Sequence, residues 1–209
     1  MTGPSFAFLV FDLDGVLLDF HPERRLARLA AITGLTPAFL QAAIWDSDFE
    51  RSAEAGAWPD GEAYLAAFNA RIGVAVTREQ WIAARREAMT PRAAVIGYLR
   101  RLRERVPLAL LTNNGALLLE ALPQLCGDVT ELFGERLHAS FQFGARKPDP
   151  AVYQRLLARH GVPPAAALMI DDDARNVAGA VQAGLAGYRY EGLDALAAVL
   201  EPRLPPRPS

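Results

Sequence analysis

Two hydrophobic patterns alternate along the chain. Short unbroken apolar runs stand at Phe6–Phe11, Leu108–Leu111 and Ala167–Ile170, and each ends abruptly in polar residues. Such runs are too short for an independent helix and suit strands buried on both faces. Elsewhere apolar residues recur at helical spacing. Leu26, Leu29, Ala30 and Ile32 follow Pro22 and stop at Gly34, and Pro37 opens a second helix reaching about Trp45. Tyr64, Leu65, Phe68 and Ile72 follow the turn signal Pro59-Asp60-Gly61. Thr77 and Gln80 form a capping box ahead of Trp81, Ile82 and Met89. From about 20 to 90 the pattern is helical throughout, with no strand.

Pro91 begins a further helix with Val95, Leu99, Leu102 and Val106 on one face and Arg100, Arg101, Arg103 and Arg105 largely on the other. A helix over Ala116–Leu125 follows the second apolar run, and Leu137–Phe141 alternates weakly as a third strand. Asp149 is placed as N-cap and Pro150 as the first residue of a helix through Arg159. Ala174–Ala183 forms a helix closed by Gly184, Ala186–Tyr190 a fifth strand, and Leu193–Leu200 a last helix. The tail from Pro202 to Ser209 has four prolines in eight residues and is expected to be loose. Alternating strands and helices predict an α/β fold, a mostly parallel sheet with right-handed crossovers. Its core spans residues 1–18 and 90–209, and residues 19–89 are a helical insertion.

Chemistry enters where the runs stop. Three predicted strands end in Asp12/Asp14, Thr112/Asn113 and Asp171/Asp172. Ligands of parallel sheets bind outside the carboxyl ends of the strands, so parallel strands would bring these tips into one crevice. Asp12 and Asp14, two apart on an extended segment, share a side, and Gly15 lets the chain turn after them. Two carboxylates 4 Å apart repel by ~4 kcal/mol at an effective dielectric of 20. That repulsion calls for a cation. Carboxylate-rich, all-oxygen ligation suits Mg²⁺, and the absence of His or Cys from the three tips argues against zinc. Lys147 and Thr112 add a point charge and a hydroxyl, completing a magnesium-dependent phosphoryl-transfer set. Asp12, held by the strand end, is expected as nucleophile. Asp14 is expected to protonate the leaving alcohol and then deprotonate water, which requires it to hold a proton near neutrality.

The order Phe11-Asp12-Leu13-Asp14-Gly15-Val16, Leu111-Thr112-Asn113, Arg146-Lys147-Pro148-Asp149 and Ile170-Asp171-Asp172 with Asn176 resembles the four motifs of the haloacid dehalogenase-like hydrolases. The resemblance covers the whole core. It implies a Rossmann-like core with a helical cap inserted after the first motif. It also implies Mg²⁺ held by Asp12, the backbone carbonyl of Asp14 and Asp172, with Asp171 an accessory or outer group supported by Asn176. Thr112, Asn113 and Lys147 are the expected phosphate contacts. The dehalogenase branch lacks an acid two residues after its nucleophile, and this chain has Asp14, which favours the phosphatase branch. The Asp-Asp motif and the Arg-Lys-Pro-Asp-Pro loop are most similar to phosphatases of small sugar phosphates and to the phosphatase domain of epoxide hydrolases.

The bulk numbers narrow the partners. In 209 residues, 51% are apolar and 22% charged, an ordinary globular composition. A net charge of −2 gives no general attraction to nucleic acid or an anionic membrane; the phosphoryl-transfer set and the resemblance imply a small phosphorylated metabolite as partner. The lone Cys126 rules out an internal disulfide and fits a reducing compartment. The six-residue N-terminal run without a basic flank is neither signal peptide nor membrane span, so a cytoplasmic location is expected. His138, His160, Cys126 and the three tryptophans are read as structural, Asp173 as a helix cap and Arg146 as a surface charge. His21, near the cap hinge, is a minor candidate for touching substrate, with Phe20, Trp45, Asp46 and Glu50. The competing functions are a phosphomutase, a 2-haloacid dehalogenase and a non-hydrolytic aspartyl-phosphate switch.

Overall fold

The computed structural model of the protein describes residues 6–204. Five parallel strands form the central sheet: β1 (Phe8–Phe11), β4 (Leu108–Thr112), β5 (Leu137–Ala139), β6 (Ala167–Asp171) and β7 (Ala186–Arg189). Their order is β5-β4-β1-β6-β7. The chain runs outward from β1 to β5 on one side and returns to β6 and β7 on the other. β1 is therefore the switch point, the place where such sheets open a crevice.

Alternation along each strand sorts the core into two layers. Leu9, Phe11, Leu108, Leu110, Leu168 and Ile170 face one side, and Phe8, Val10, Ala109, Leu111, Ala167 and Met169 the other. Helices α6 (Ala93–Leu102), α7 (Ala116–Leu125), α8 (Gly127–Phe133) and α11 (Leu193–Leu200) cover the first face. Helices α9 (Pro150–His160) and α10 (Ala174–Gln182) cover the second. Asp149 caps α9 by accepting from the Ala151 N–H at 2.9 Å.

Between the first and second core strands lie α1 (Pro22–Thr33), α2 (Pro37–Leu40), α3 (Phe49–Glu54), α4 (Gly61–Ile72) and α5 (Arg78–Glu87). Gln41–Trp45 continues α2 as a π-helical turn. Leu29, Leu40, Ile44, Phe68 and Trp81 of this helical layer join the cluster on the first face of the sheet. The layer is held down by polar bonds as well. Glu120 of α7 accepts from the Gly61 N–H at 2.8 Å and from Arg78 at 2.7 Å.

Three expectations are corrected. The junction with the core is not purely helical, because β2 (Leu18–Phe20) and β3 (Met89–Pro91) pair antiparallel, Asp19 opposite Thr90. Pro91 therefore closes a strand instead of opening a helix, and α6 starts at Ala93. Pro91 is tolerated because a two-stranded ribbon consists only of edges. Helices α3 and α8, too short for a periodic signature, were also absent from the sequence reading. Of the tail expected to be loose, Glu201–Arg203 forms a 3₁₀ turn and Leu204 is buried, while residues 205–209 lie outside the described residues. Among the described residues no single helix is long and apolar enough to cross a membrane.

Candidate active site

β1 delivers Asp12 to the crevice. Its backbone N–H bonds to the Ile170 carbonyl at 3.0 Å, which ties it to the tip of β6. Oδ1 of Asp12 accepts the Leu13 N–H at 2.7 Å and the Lys147 ammonium at 2.8 Å. Lys147 also donates to Oδ2 of Asp171 at 2.7 Å. Lys147 and Asp171 are essentially sealed from water, at 1% and 0% exposure, so this triad is set in a low dielectric. Burial pushes Asp12 up to about 7 against the pull of Lys147, with Asp171 adding repulsion. Burial works to strip Lys147 of its proton, yet Asp12 and Asp171 outweigh it and raise its pKa. One ammonium thus faces two carboxylates, and the ammonium keeps its charge.

Asp171 does more holding than offering. Its oxygens accept from Lys147, from the Asn176 amide at 3.1 Å each, and from the Asp173 N–H at 2.9 Å. Asp172, the next residue, is the open one. Its pKa is raised by burial and by Asp171. Carboxylate oxygens of Asp12, Asp171 and Asp172 lie within 4.8 Å of one another. When ionised, three carboxylates against one ammonium leave two negative charges uncompensated, and the donors are all hard oxygens. That set fits Mg²⁺, with Asp12 and Asp172 as the carboxylates that retain free lone pairs. Gly15 makes room for this. A Cβ on it would sit 2.2 Å from Oδ2 of Asp172, and its φ of +85° disfavours any side chain.

The remaining expected contacts divide. Thr112, at the tip of β4, is buried, and its hydroxyl oxygen accepts from the Asn114 amide at 2.8 Å, which leaves its own proton available to a ligand. Asn113, expected on phosphate, braces the Lys147 loop. Its amide donates to the Lys147 carbonyl and its oxygen accepts the Lys147 N–H, both at 2.8 Å. These bonds engage one of its two amide hydrogens and leave the other for a ligand. Behind that loop, whose Lys147–Pro148 bond is cis, α10 approaches so closely that a Cβ on Gly179 would lie 2.0 Å from the Pro148 carbonyl.

Asp14 points towards the helical layer. Its Oδ2 pairs with Arg85 of α5 at 2.5 Å, and its buried Oδ1 has no partner. Arg85 is stacked on Phe20, 4.1 Å from the ring centre. Arg146, read as a surface charge, bonds Glu54 of α3, a carboxyl that burial pushes up to about 7 despite this partner. Asp173 is the N-cap of α10. His21 lines a cleft of about 430 Å³ together with Asp14, Gly15, Phe20, Arg92 and Asp172. Trp45 stacks on Arg25, Glu50 accepts from Tyr64, and Asp46 accepts from Gln41. His138 and His160 bond each other through Nε2 at 2.8 Å, and Cys126 is buried with a free thiol.

Sequence reasoning missed Arg85, Arg25 and Asn114. A signal existed for both arginines. Arg85 lies four residues after Trp81 and Arg25 four before Leu29, so each occupies the apolar stripe of its helix.

The sequence profile of the haloacid dehalogenase-like hydrolases matches residues 7–184, from β1 through the end of α10. The chain belongs to that family. The hydrolase is 41% identical over 54 residues to flavin mononucleotide hydrolase 1, chloroplastic, of Arabidopsis thaliana. That match covers 26% of the hydrolase and 22% of the plant protein, far less than the latter's full length. A predicted HAD-like family hydrolase from Porphyromonas gingivalis superposes with a TM-score of 0.80 at 25% identity, covering 94% of this chain and 98% of that one. A HAD family enzyme of Bacteroides thetaiotaomicron, in complex with magnesium and inorganic phosphate, shares the fold at a TM-score of 0.78 and 19% identity, over 91% and 98% of the two chains. So does the L-2-haloacid dehalogenase of Xanthobacter autotrophicus, at 0.63 and 20%, over 94% and 82%.

Proposed function

We propose that the hydrolase is a magnesium-dependent phosphomonoesterase that forms an aspartyl-phosphate on Asp12 and acts on a small organic phosphate. The observation that carries this reading is Asp14, a second carboxylate set two residues after Asp12 and turned to the cap. An alkoxide leaving a phosphate ester needs a proton, whereas a departing halide does not. Asp14 therefore favours ester cleavage over dehalogenation.

Both bonds that restrain Asp12 fall on Oδ1. Oδ2 is then the oxygen that attacks phosphorus, forming the acyl-phosphate bond as the P–O bond to the alcohol breaks. Asp14 gives its proton to the departing oxygen. It then takes one from the water that attacks the same phosphorus, releasing inorganic phosphate and restoring Asp12. Lys147 and the Thr112 hydroxyl hold the equatorial phosphoryl oxygens, and Asp171 and Asn113 keep Lys147 in place for this. Mg²⁺, held by Asp12, Asp172 and the Asp14 carbonyl, supplies Lewis-acid neutralisation of the phosphoryl group when bound. The helical cap excludes water from the crevice and distinguishes this site from an open aspartyl-phosphate switch.

Flavin mononucleotide is itself a phosphomonoester, so the partial likeness to a flavin mononucleotide hydrolase supports the class and nominates one test substrate. Purified protein is assayed for phosphate release from p-nitrophenyl phosphate and flavin mononucleotide. Multiple turnovers that stop with EDTA and resume with Mg²⁺ are expected. A single labelled turnover, an isomerised ester without free phosphate, or chloride release from 2-chloropropionate in place of phosphate release overturns the reading.

A further inference from the structure

Two arginines of the cap are buried with donors unused. Arg25 of α1 is 5% exposed and Arg85 of α5 is 3% exposed. Arg25 lies between two indoles, 4.9 Å from the Trp45 ring centre and 4.8 Å from that of Trp81. Ring faces attract the cation but do not replace acceptors in the guanidinium plane. Among the described residues, Nε and Nη2 of Arg25, Nε of Arg85 and the indole Nε1 of Trp81 all lack a hydrogen-bond partner. Burial pulls the Arg25 pKa down, Tyr64 and Glu50 oppose the shift, and Arg85 reinforces it.

Of these donors, those of Arg25 and Trp81 belong to residues lining a cavity at the cap–core seam. Arg25, Trp81, Tyr64 and Glu50 line it from the cap, and Asn114 and Gly115 from the core. The core side is the segment directly after Thr112, whose hydroxyl Asn114 contacts. Glu50 is the one carboxylate among the lining residues, and it is turned to the Tyr64 hydroxyl, which donates to it at 2.6 Å. Buried guanidinium donors without acceptors are strongly unfavourable in a free protein and become favourable when an anion arrives.

We propose that this seam receives a second anionic group, a carboxylate or a second phosphate, carried on the leaving portion of the substrate. Arg25 is its principal ligand, with Trp81 Nε1 beside it. The inference rests on the phosphomonoesterase reading. The cavity measures about 10 Å³, little more than one water. The group therefore enters as the cap lifts and is enclosed as it settles.

The test compares kcat/KM for ω-phosphooxy alkanoates and α,ω-alkyl bisphosphates with alkyl phosphates of equal length. The wild-type protein is expected to favour one charged series by about 30-fold, chiefly through KM, and which series leads identifies the anion. Arg25→Met is expected to shrink that ratio about tenfold and Trp81→Phe, which deletes the N–H but keeps an aromatic ring, about threefold. Equal wild-type kcat/KM on charged and neutral esters overturns the inference. So does a loss in Arg25→Met that is the same on both series, which is the mark of a packing role. The wild-type ratio needs no variant to fold. Absence of turnover on every ester, the neutral ones included, overturns the phosphomonoesterase reading itself.

Discussion

In the crevice Lys147 bridges Asp12 and Asp171, and Asn113 closes both sides of its backbone, whereas across the seam Arg25 and Trp81 keep donors with no acceptor. Both sets are buried and both are charged. They differ in completeness. The groups that would meet the transferred phosphoryl are fixed by one another before any ligand arrives, as electrostatic preorganisation requires. On the proposed reading, the groups facing the rest of the substrate are left to be completed by it, so that reaction chemistry is built into the fold and recognition is deferred to binding.

That contrast can be broken at its strongest point first. Asp12→Asn is expected to lower phosphate release by about 10⁴-fold or more. Because burial penalises the Asp12 carboxylate, the same variant should melt no lower than the wild type, as checked by thermal denaturation beside the kinetic assay. Unimpaired turnover in Asp12→Asn would remove the nucleophile from the crevice.

Lys147→Met leaves two buried carboxylates facing each other. Stability should fall by about 3–5 kcal/mol in urea titrations, with partial recovery when Asp171→Asn is added. An equivalent truncation in the seam, where Arg25 has no ion pair to break, should not show this loss. Similar destabilisation at both places would erase the distinction.

His138 and His160 offer a neutral reference away from either region. Burial, with help from His160, lowers the His138 pKa to about 4. An unfolded histidine titrates near 6.5, so the folded state binds fewer protons between these values. The contribution is complete above pH 6.5 and is lost as pH falls towards 4, amounting to roughly 3 kcal/mol. His138→Gln should flatten the pH dependence of the urea midpoint across that window.

The smallest effect is expected at Gly15. A Cβ there meets Asp172 and the φ of +85° is strained, so Gly15→Ala should cost about 1–3 kcal/mol. Mg²⁺ affinity, read by isothermal titration, should weaken in the same variant because the Asp172 carboxylate must move.

The strand tips were legible because abrupt passage from an apolar run to Asp12, Thr112 or Asp171 is a local signal. Topology then brought them together, and the sheet order places β4 and β6 on either side of β1. The bracing of Lys147 by Asn113 was not legible because it depends on a loop reached only through folding, 34 residues away in sequence. Arg25 and Arg85 each sit beside another arginine, Arg24 and Arg86, and composition does not say which of two neighbours turns inward. Helical phase does not separate Arg85 from Arg86 either, since each follows a buried residue, Trp81 or Ile82, by one turn. The ribbon of β2 and β3 escaped notice because three residues are too few to display alternation, and Pro91 misdirects.

That ribbon has a bearing on how the molecule could diversify. Asp19 and Thr90 stand opposite each other, and Arg92 fastens both Asp19 and the Gly15 carbonyl. The exit from the sheet and the return to it are therefore neighbours, about 5 Å apart as paired strands are. Whatever length of polypeptide hangs between them closes a loop whose ends already meet, and each doubling of that length adds only about 0.6 kcal/mol of closure entropy. Changes of length between residues 21 and 88 are therefore cheap in closure entropy where they spare the side chains packed on the sheet.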